Sequence, residues 1–515
     1  MLHSNTIVIA NPSHSTEDER EFWRCFASAT RTRGWQFFQL ATRNIPDVKG
    51  AHTIRLPARL QRTPPIAGSE DTDQLRQQVR WADPTALDLM IEWEHLRWQD
   101  PDHDDAMRQG QLRLVHFVDR AVALLRPAVV LTTNKIDHNV ALFRQAALAY
   151  GATAGFVERS PFDDYWYEPD GIFGETLIPK QYPAAGGRDQ PPAVLEAGRV
   201  VVERMRGNPY GFRKGEGGSQ GADAEFLDSL PRPLWFLPMD NVLWTGLAQR
   251  EHPQRRVDYP FYEHYTDALA HIAATVNRIG GTLVVKHHPS CVMVTPDTLP
   301  AGAVSHDGDL QLLIDKADVV ITLLTKLAFV ALAMGKPVVT LAHNPVSASG
   351  STYHCTRQEQ LESTLRAALA QDQLQQRIAA FVPFSGWLAA KYFIAMNQSP
   401  NLPQRTPADL ADELIHAAGP TIPHTPGELA SIESLLRSYT GIPTAHTDPR
   451  LRRLRSAVDV VGNWRGWPLV HHGIEVLARG LVGEAGTNAT LHRLFGAERS
   501  QRLRRRFDES HANKR

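Results

Sequence analysis

The stretch ADVVITLLTKLAFVALAMGKPVVTL (317–341) decides how the chain is read. Its apolar part, Ala317 to Met334, is long enough to raise the question of a membrane span. Lys326 and two threonines, Thr322 and Thr325, interrupt it, and its first half is β-branched while its second half favours helix. Gly335 then punctuates it, and PVVTL restores β character. A buried strand, a buried helix and a second buried strand fit this better than a span does, and that is the repeating unit of a doubly wound parallel sheet.

Working outward from this unit, the same grammar recurs. PLWFLPM (233–239) reads as a strand, a helix follows around 259–279, Gly280 and Gly281 stop it, and TLVVKHH (282–288) is again a strand. DLQLLIDKA (309–317) supplies the helix that leads into the opening stretch. The first 175 residues repeat the pattern. TIVIA (6–10) is followed by Asn11-Pro12-Ser13, and Ser15 with Asp18 resembles a helix cap and its partner. That helix carries Phe22, Trp23 and Phe26, Gly34 ends it, and WQFFQL is the next strand. A helix over 111–126, strand AVVLTT (128–133), a helix over 140–150 and strand TAGFVER (153–159) complete the unit.

These readings give the fold class α/β, with two Rossmann-like domains facing a cleft and C-terminal helices. The expected domains are 1–230, 231–385 and 386–515. Such an arrangement is that of a GT-B glycosyltransferase, although a fold by itself does not give a function.

Composition narrows the function. The 515 residues are 42% hydrophobic and 22% charged, as in a globular protein, and the net charge of -1 offers no field for nucleic acid. Cys25, Cys291 and Cys355 form no CxxC pair, which fits a reducing compartment. MLHSNTIVIANPSHSTEDERE lacks the basic start of a secretion signal. The chain is therefore expected to be cytoplasmic, without a transmembrane segment, and able to work beside a membrane through its partners. The basic stretch 499–515 is read as a solvated helix end in preference to a contact with an anionic surface.

Candidate chemistry gathers at strand ends, where open α/β sheets bind ligands. Lys286, His287, His288 and Pro289 end one strand. Adjacent histidines on extended backbone point to opposite faces, so one metal would rarely take both. No HExxH or comparable spacing accompanies them. A phosphate held by lysine and histidine is chemically sensible, and a simple loop is the competing reading. Thr325 and Lys326 lie at a strand-to-helix junction, where free N–H groups suit a phosphate, or where Thr325 merely caps its own helix. Glu158 ends the strand TAGFVER, and its apolar neighbours Phe156 and Val157 suit a general acid or base. Asp240 and Asn241 follow the first strand of the second domain. Two carboxylates from opposite domains, Glu158 and Asp240, are a recurring device of glycosyl transfer. The acids of DHDD (102–105) and Asp163-Asp164 are read as loop acids. PAAGGRDQPP (183–192) and RGNPYGFRKGEGGSQGA (206–222) are read as mobile loops, since neither contains a phosphate-loop motif.

In order and spacing over about 130–345, the segments TTNK (132–135), FVERSPFDDYWYEPDG (156–171), FLPMD (236–240), VKHHP (285–289) and TLLTKLAFVALAMGKPV (322–338) resemble the capsule-polysaccharide-type retaining β-Kdo glycosyltransferases that use CMP-Kdo. The resemblance implies that Lys286, His288 and Pro289, with Thr325 and Lys326, hold the nucleotide phosphate. It implies that Glu158 is a catalytic acid/base and Asp240 a nucleophile or stabiliser. Asn134, Arg159 and Asn241 would line the sugar or acceptor side. It implies a CMP-sugar donor, a glycan or glycolipid acceptor, and no metal or other cofactor. Four departures are visible. Val330 stands where the family has a glutamate, His287 where it has proline, Ser160 where it has glycine, and the glutamine of its "PLQ" is not kept.

Overall fold

The computed structural model describes residues 3–10, 17–42, 47–56, 84–98, 104–133, 138–162, 164–207, 220–242, 252–288, 298–396, 404–425 and 427–432. Two six-stranded sheets organise them. The first is built from β1 (Ser4–Ala10), β2 (Gln36–Thr42), β3 (His52–Leu56), β4 (Pro127–Thr132), β5 (Thr153–Arg159) and β6 (Tyr165–Glu168), in the order β3-β2-β1-β4-β5-β6. All its pairings are parallel except β5 with β6. The second is built from β7 (Leu234–Pro238), β8 (Thr282–Lys286), β9 (Ala303–Ser305), β10 (Val319–Thr322), β11 (Val338–Thr340) and β12 (Tyr353–His354), in the order β12-β11-β10-β7-β8-β9, and is parallel throughout.

Counted from its own first strand, each sheet has the order 3-2-1-4-5-6, which is the Rossmann order. The chain is thus a GT-B-like α/β protein with two Rossmann-like halves. In each half the winding reverses between the first and fourth strands, and the crevice outside those strand ends is where such sheets bind ligands. In the second half that place lies after β7 and β10. In the first half the loops after β1 and β4, with Asn11–Ser15 and Asn134, lie outside the described residues.

The opening stretch folds as its pattern dictates. All four residues of β10 are buried, and so is every residue of the helix Leu327–Ala333. A parallel strand covered on both faces needs such a continuous apolar run. Each buried Val, Leu, Ile or Phe contributes about 1.5–3 kcal/mol, as an upper bound. The helix begins at Leu327, two residues after the expected start, with Lys326 in the capping position.

The chain then returns to its first half. Helix Leu374–Trp387 lies against helix Pro192–Gly207. A Cβ on Gly198 would meet the Val382 carbonyl oxygen at 2.1 Å, and one on Gly386 would meet that of Val194 at 2.0 Å. Glycine at both places lets the two backbones touch. Beyond the turn Leu388–Tyr392, Ile394 bridges to Tyr165 on β6, and helix Pro407–Ala418 packs on helix Glu17–Thr32.

The helix Leu374–Trp387 runs through the expected boundary at 385. The chain divides into a unit Met1–Leu436, which holds all the described residues, and a unit Arg437–Arg515, which contains the basic stretch 499–515 and lies outside them. The strands β3, β6, β9 and β12 and the helices Pro84–Trp98 and Pro192–Gly207 were not anticipated. Among the described residues no helix is long and apolar enough to cross a membrane.

Candidate active site at the carboxyl edges of the two sheets

β5 presents its side chains alternately to two faces. Val157 packs with Phe22 and Trp23, and the Arg159 Nη1 lies 3.5 Å from the fully buried Glu19 carboxylate on the same side. Phe156 and Glu158 project to the other side. Glu158 Oε1 accepts hydrogen bonds from its neighbour's amide, Arg159 N, at 3.1 Å and from Lys326 Nζ at 2.9 Å. The same ammonium donates to the Arg159 carbonyl. Lys326 stands at the entry of helix Leu327–Ala333 in the second half, so this pair joins the carboxyl edges of both sheets. It is partly solvated, with the Glu158 side chain 30% exposed, and an ion pair of this kind is worth no more than about 1 kcal/mol. Its value is positional. One carboxylate oxygen is fixed, while Oε2 has no partner among the described residues.

The switch point of the second sheet is held by Asp240. Only 3% exposed, its carboxylate faces the backbone amides of Leu324 and Thr325. Burial raises its pKa to about 7, and the two amides oppose that shift. Among the described residues its buried Oδ2 has no partner, nor has the nearby Tyr259 hydroxyl. The carboxylate expected to face an anomeric carbon is therefore turned inward, onto the loop that carries Thr325 and Lys326. Asn344, in the turn beyond β11, secures this loop, its Nδ2 donating to the carbonyls of Leu323 at 3.3 Å and Thr325 at 3.1 Å. The Thr325 hydroxyl accepts Leu327 N at 3.3 Å, which is the capping role weighed against phosphate binding. Asn241 is half-buried beside Asp240.

At the end of β8 the Lys286 ammonium donates to the carbonyls of Asp307 and Gly308, both at 2.9 Å. Two of its three N–H groups are thereby used and one remains. Burial lowers its pKa, against the pull of Asp307, Asp309 and Asp223. Burial also lowers that of His288. His287 has both ring nitrogens buried without a hydrogen-bond partner among the described residues. Pro289 lies outside the described residues, as do Asn134, Asp163 and most of 206–222. Val330 is fully buried in the core, so no polar group replaces the glutamate of the resembled family. Among the described residues no three His, Cys, Asp or Glu side chains gather as a metal-binding group.

Two residues that shape this region escaped the sequence reading. Glu168, fully buried on β6, accepts from Trp166 Nε1 at 2.7 Å, Tyr392 Oη at 2.7 Å, Leu177 N at 3.0 Å and the Thr176 hydroxyl. It ties the returning chain to the hairpin that carries Glu158. Asn344 is the other, and an asparagine before proline four residues beyond an apolar strand was the available signal.

No protein-family model matches this chain, and no curated protein does. Solved structures resemble it distantly. A Thermosulfurimonas dismutans KpsC, described as a beta Kdo 2,7 transferase, is 15% identical over 49% of this chain and 79% of that one, with a TM-score of 0.34. A second from the same organism, described as a beta Kdo 2,4 transferase, is 16% identical over 56% and 87%, with a TM-score of 0.34. The glycosyltransferase SnogD from Streptomyces nogalater is 14% identical over 81% and 99%, with a TM-score of 0.29. The fold given above rests on the two sheet orders and not on these likenesses.

Proposed function

We propose that the protein is a glycosyltransferase that moves an acidic sugar, Kdo or a related ulosonic acid, from a CMP-activated donor to a glycan or glycolipid acceptor, with retention of configuration. The observation that carries this reading is the state of Glu158. It stands at a strand end where the two halves meet, fixed at one oxygen by Lys326 and Arg159 N and open at the other. A carboxylate oriented in this way can take a proton from an acceptor hydroxyl or return one. As the glycosidic bond to CMP breaks, the phosphate carries away the electron pair. The third N–H of Lys286, the His288 ring and the Thr325–Lys326 loop supply donors to that charge. Asp240 acts as a positioning residue that sets this loop; sugar or acceptor binding is assigned to Asn134 and Asn241, while Arg159 is turned to Glu19.

The test is release of CMP from CMP-Kdo. Glu158→Gln is expected to slow it by about 10²–10⁴-fold, and unchanged turnover would remove Glu158 from the mechanism. A second reading is favoured by Val330, which puts core where the resembled family has a nucleotide contact. Under it, the donor is a UDP- or GDP-sugar, or the chain binds without catalysing. Thermal shifts with CMP, UDP and GDP separate these readings, since a nucleotide at 100 times its Kd stabilises by about 2.7 kcal/mol. A shift with UDP or GDP alone favours a different donor, and no shift with any of them favours the non-catalytic reading.

A further inference from the structure

The helix His138–Ala149 carries a cation that the site described above does not use. The Arg144 guanidinium lies over the Phe156 ring, 4.9 Å from its centroid, and Phe156 is 1% exposed. Arg144 Nε is buried and has no hydrogen-bond partner among the described residues, and no carboxylate among them hydrogen-bonds the guanidinium. The acids whose charge reaches it are Glu175 and Asp170. Glu175 accepts instead from Gln254 in the second half, at 3.2 Å, and Asp170 is exposed.

A half-buried guanidinium without an anion loses hydration that a ring face only partly replaces. Bound oxyanion would restore two directed hydrogen bonds and the missing charge, because the planar fork of arginine matches a carboxylate or phosphate. The position is informative. Phe156 and Glu158 lie on one face of β5, two residues or roughly 7 Å apart along the strand. Arg144 therefore covers the same face from which Glu158 reaches toward Lys326.

We propose that Arg144 is the receptor for the carboxylate of an acidic sugar bound against Glu158. This deepens the function proposed above and rests on it for the identity of the sugar, but the anion site itself depends only on Arg144. Once bound there, a sugar of this class has its charge fixed on the β5 face that also carries Glu158. A neutral sugar lacks the anchor.

Binding of the methyl glycoside of Kdo, and of the same glycoside with its carboxyl group esterified, can be measured by calorimetry on the full chain. The wild type is expected to bind the acid at least tenfold more tightly than the ester. Arg144→Met removes that preference, and Arg144→Lys recovers part of it. Inorganic phosphate competes with the acid if the site takes any compact oxyanion, and fails to compete if it is fitted to carboxylate; both outcomes keep an Arg144-dependent site. Equal affinity of wild type and Arg144→Met for the acid overturns the proposal, provided Arg144→Met melts as the wild type does or higher, as loss of an unpaired cation predicts. Arg144-dependent binding without CMP-Kdo turnover overturns the donor assignment and leaves the anion site standing. Turnover with no Arg144 dependence does the reverse.

Discussion

The carboxyl edges of the two sheets use similar residues in opposite ways. On the first, Glu158 is partly exposed and reaches across to a lysine of the other half. On the second, Asp240 is buried and faces two amides of the loop after β10, while Lys286 donates to two carbonyls of the loop after β9. A charge at a strand end can serve a ligand or can serve the loop that will meet the ligand, and burial separates the two. The comparison breaks most directly by neutralising each carboxylate in turn. Glu158→Gln is expected to cost about a thousandfold in turnover, about 4 kcal/mol of barrier, with a melting temperature within about a degree or two, because a partly solvated pair adds little stability. Asp240→Asn keeps an acceptor for the loop amides and is expected to retain turnover within about tenfold. Kinetics and melting of the two variants side by side decide it, and a larger activity loss in Asp240→Asn would restore Asp240 to the chemistry.

A buried carboxylate on the first half sharpens the contrast. Glu168 stands two residues along β6 from Trp166, which pairs with Glu158 across the hairpin. Its burial raises its pKa, and four hydrogen bonds oppose the shift. Glu168→Ala leaves the Trp166, Thr176, Leu177 and Tyr392 donors without their acceptor, three of them buried side chains. A loss of about 3–5 kcal/mol in urea unfolding is expected. A loss below about 1 kcal/mol would show that the returning chain is held by its apolar contacts alone.

These roles explain how far the sequence could be read. Both Rossmann-like halves were legible because their central strands are continuous apolar runs, as in 128–131 and 319–321, separated by helices that end at Gly34, Gly280 or Gly335. Edge strands such as β6 and β12 are short and carry polar or aromatic residues, so their pattern does not stand out. Pairing of Glu158 with Lys326 joins residues 168 apart in sequence, and nothing local encodes it. Strand-end position identified Glu158, Asp240 and Lys286 as a group. It did not separate the outward one from the inward two, because that depends on which loop folds over each charge. Glu168 was passed over because a glutamate between tyrosine and proline reads as surface until its donors are brought together.

Asp240 also differs from Glu158 in its predicted response to pH. Its folded pKa, about 7, lies above the ordinary carboxyl value of 3.8, so the folded protein holds this proton more tightly than the unfolded chain does. The stability it contributes is complete below about pH 4 and is lost as pH rises through 7. Measured against Asp240→Asn, the wild type is expected to lose on the order of 2–4 kcal/mol between pH 4 and 8. Parallel stability profiles for the two proteins over that range would mean that the carboxylate is ionised throughout and that its amide contacts outweigh its burial.

The smallest effect concerns Lys286, and it tests whether a strand-end charge can serve a neighbouring loop and a ligand together. Its two bonds to Asp307 and Gly308 carbonyls are partly solvated. Lys286→Met keeps the aliphatic stem packed and removes only the donors, so a loss of about 1 kcal/mol in stability is expected. The remaining N–H makes a separate prediction. If it reaches the nucleotide phosphate, the CMP-induced thermal shift should fall by more than the loss in the ligand-free protein. If the shift is unchanged, Lys286 serves the loop after β9 alone, and the phosphate is left to His288 and the Thr325–Lys326 turn. A lysine committed to two carbonyls has little freedom to follow a moving phosphate, so a partial fall in affinity, nearer tenfold than a thousandfold, is the expected outcome.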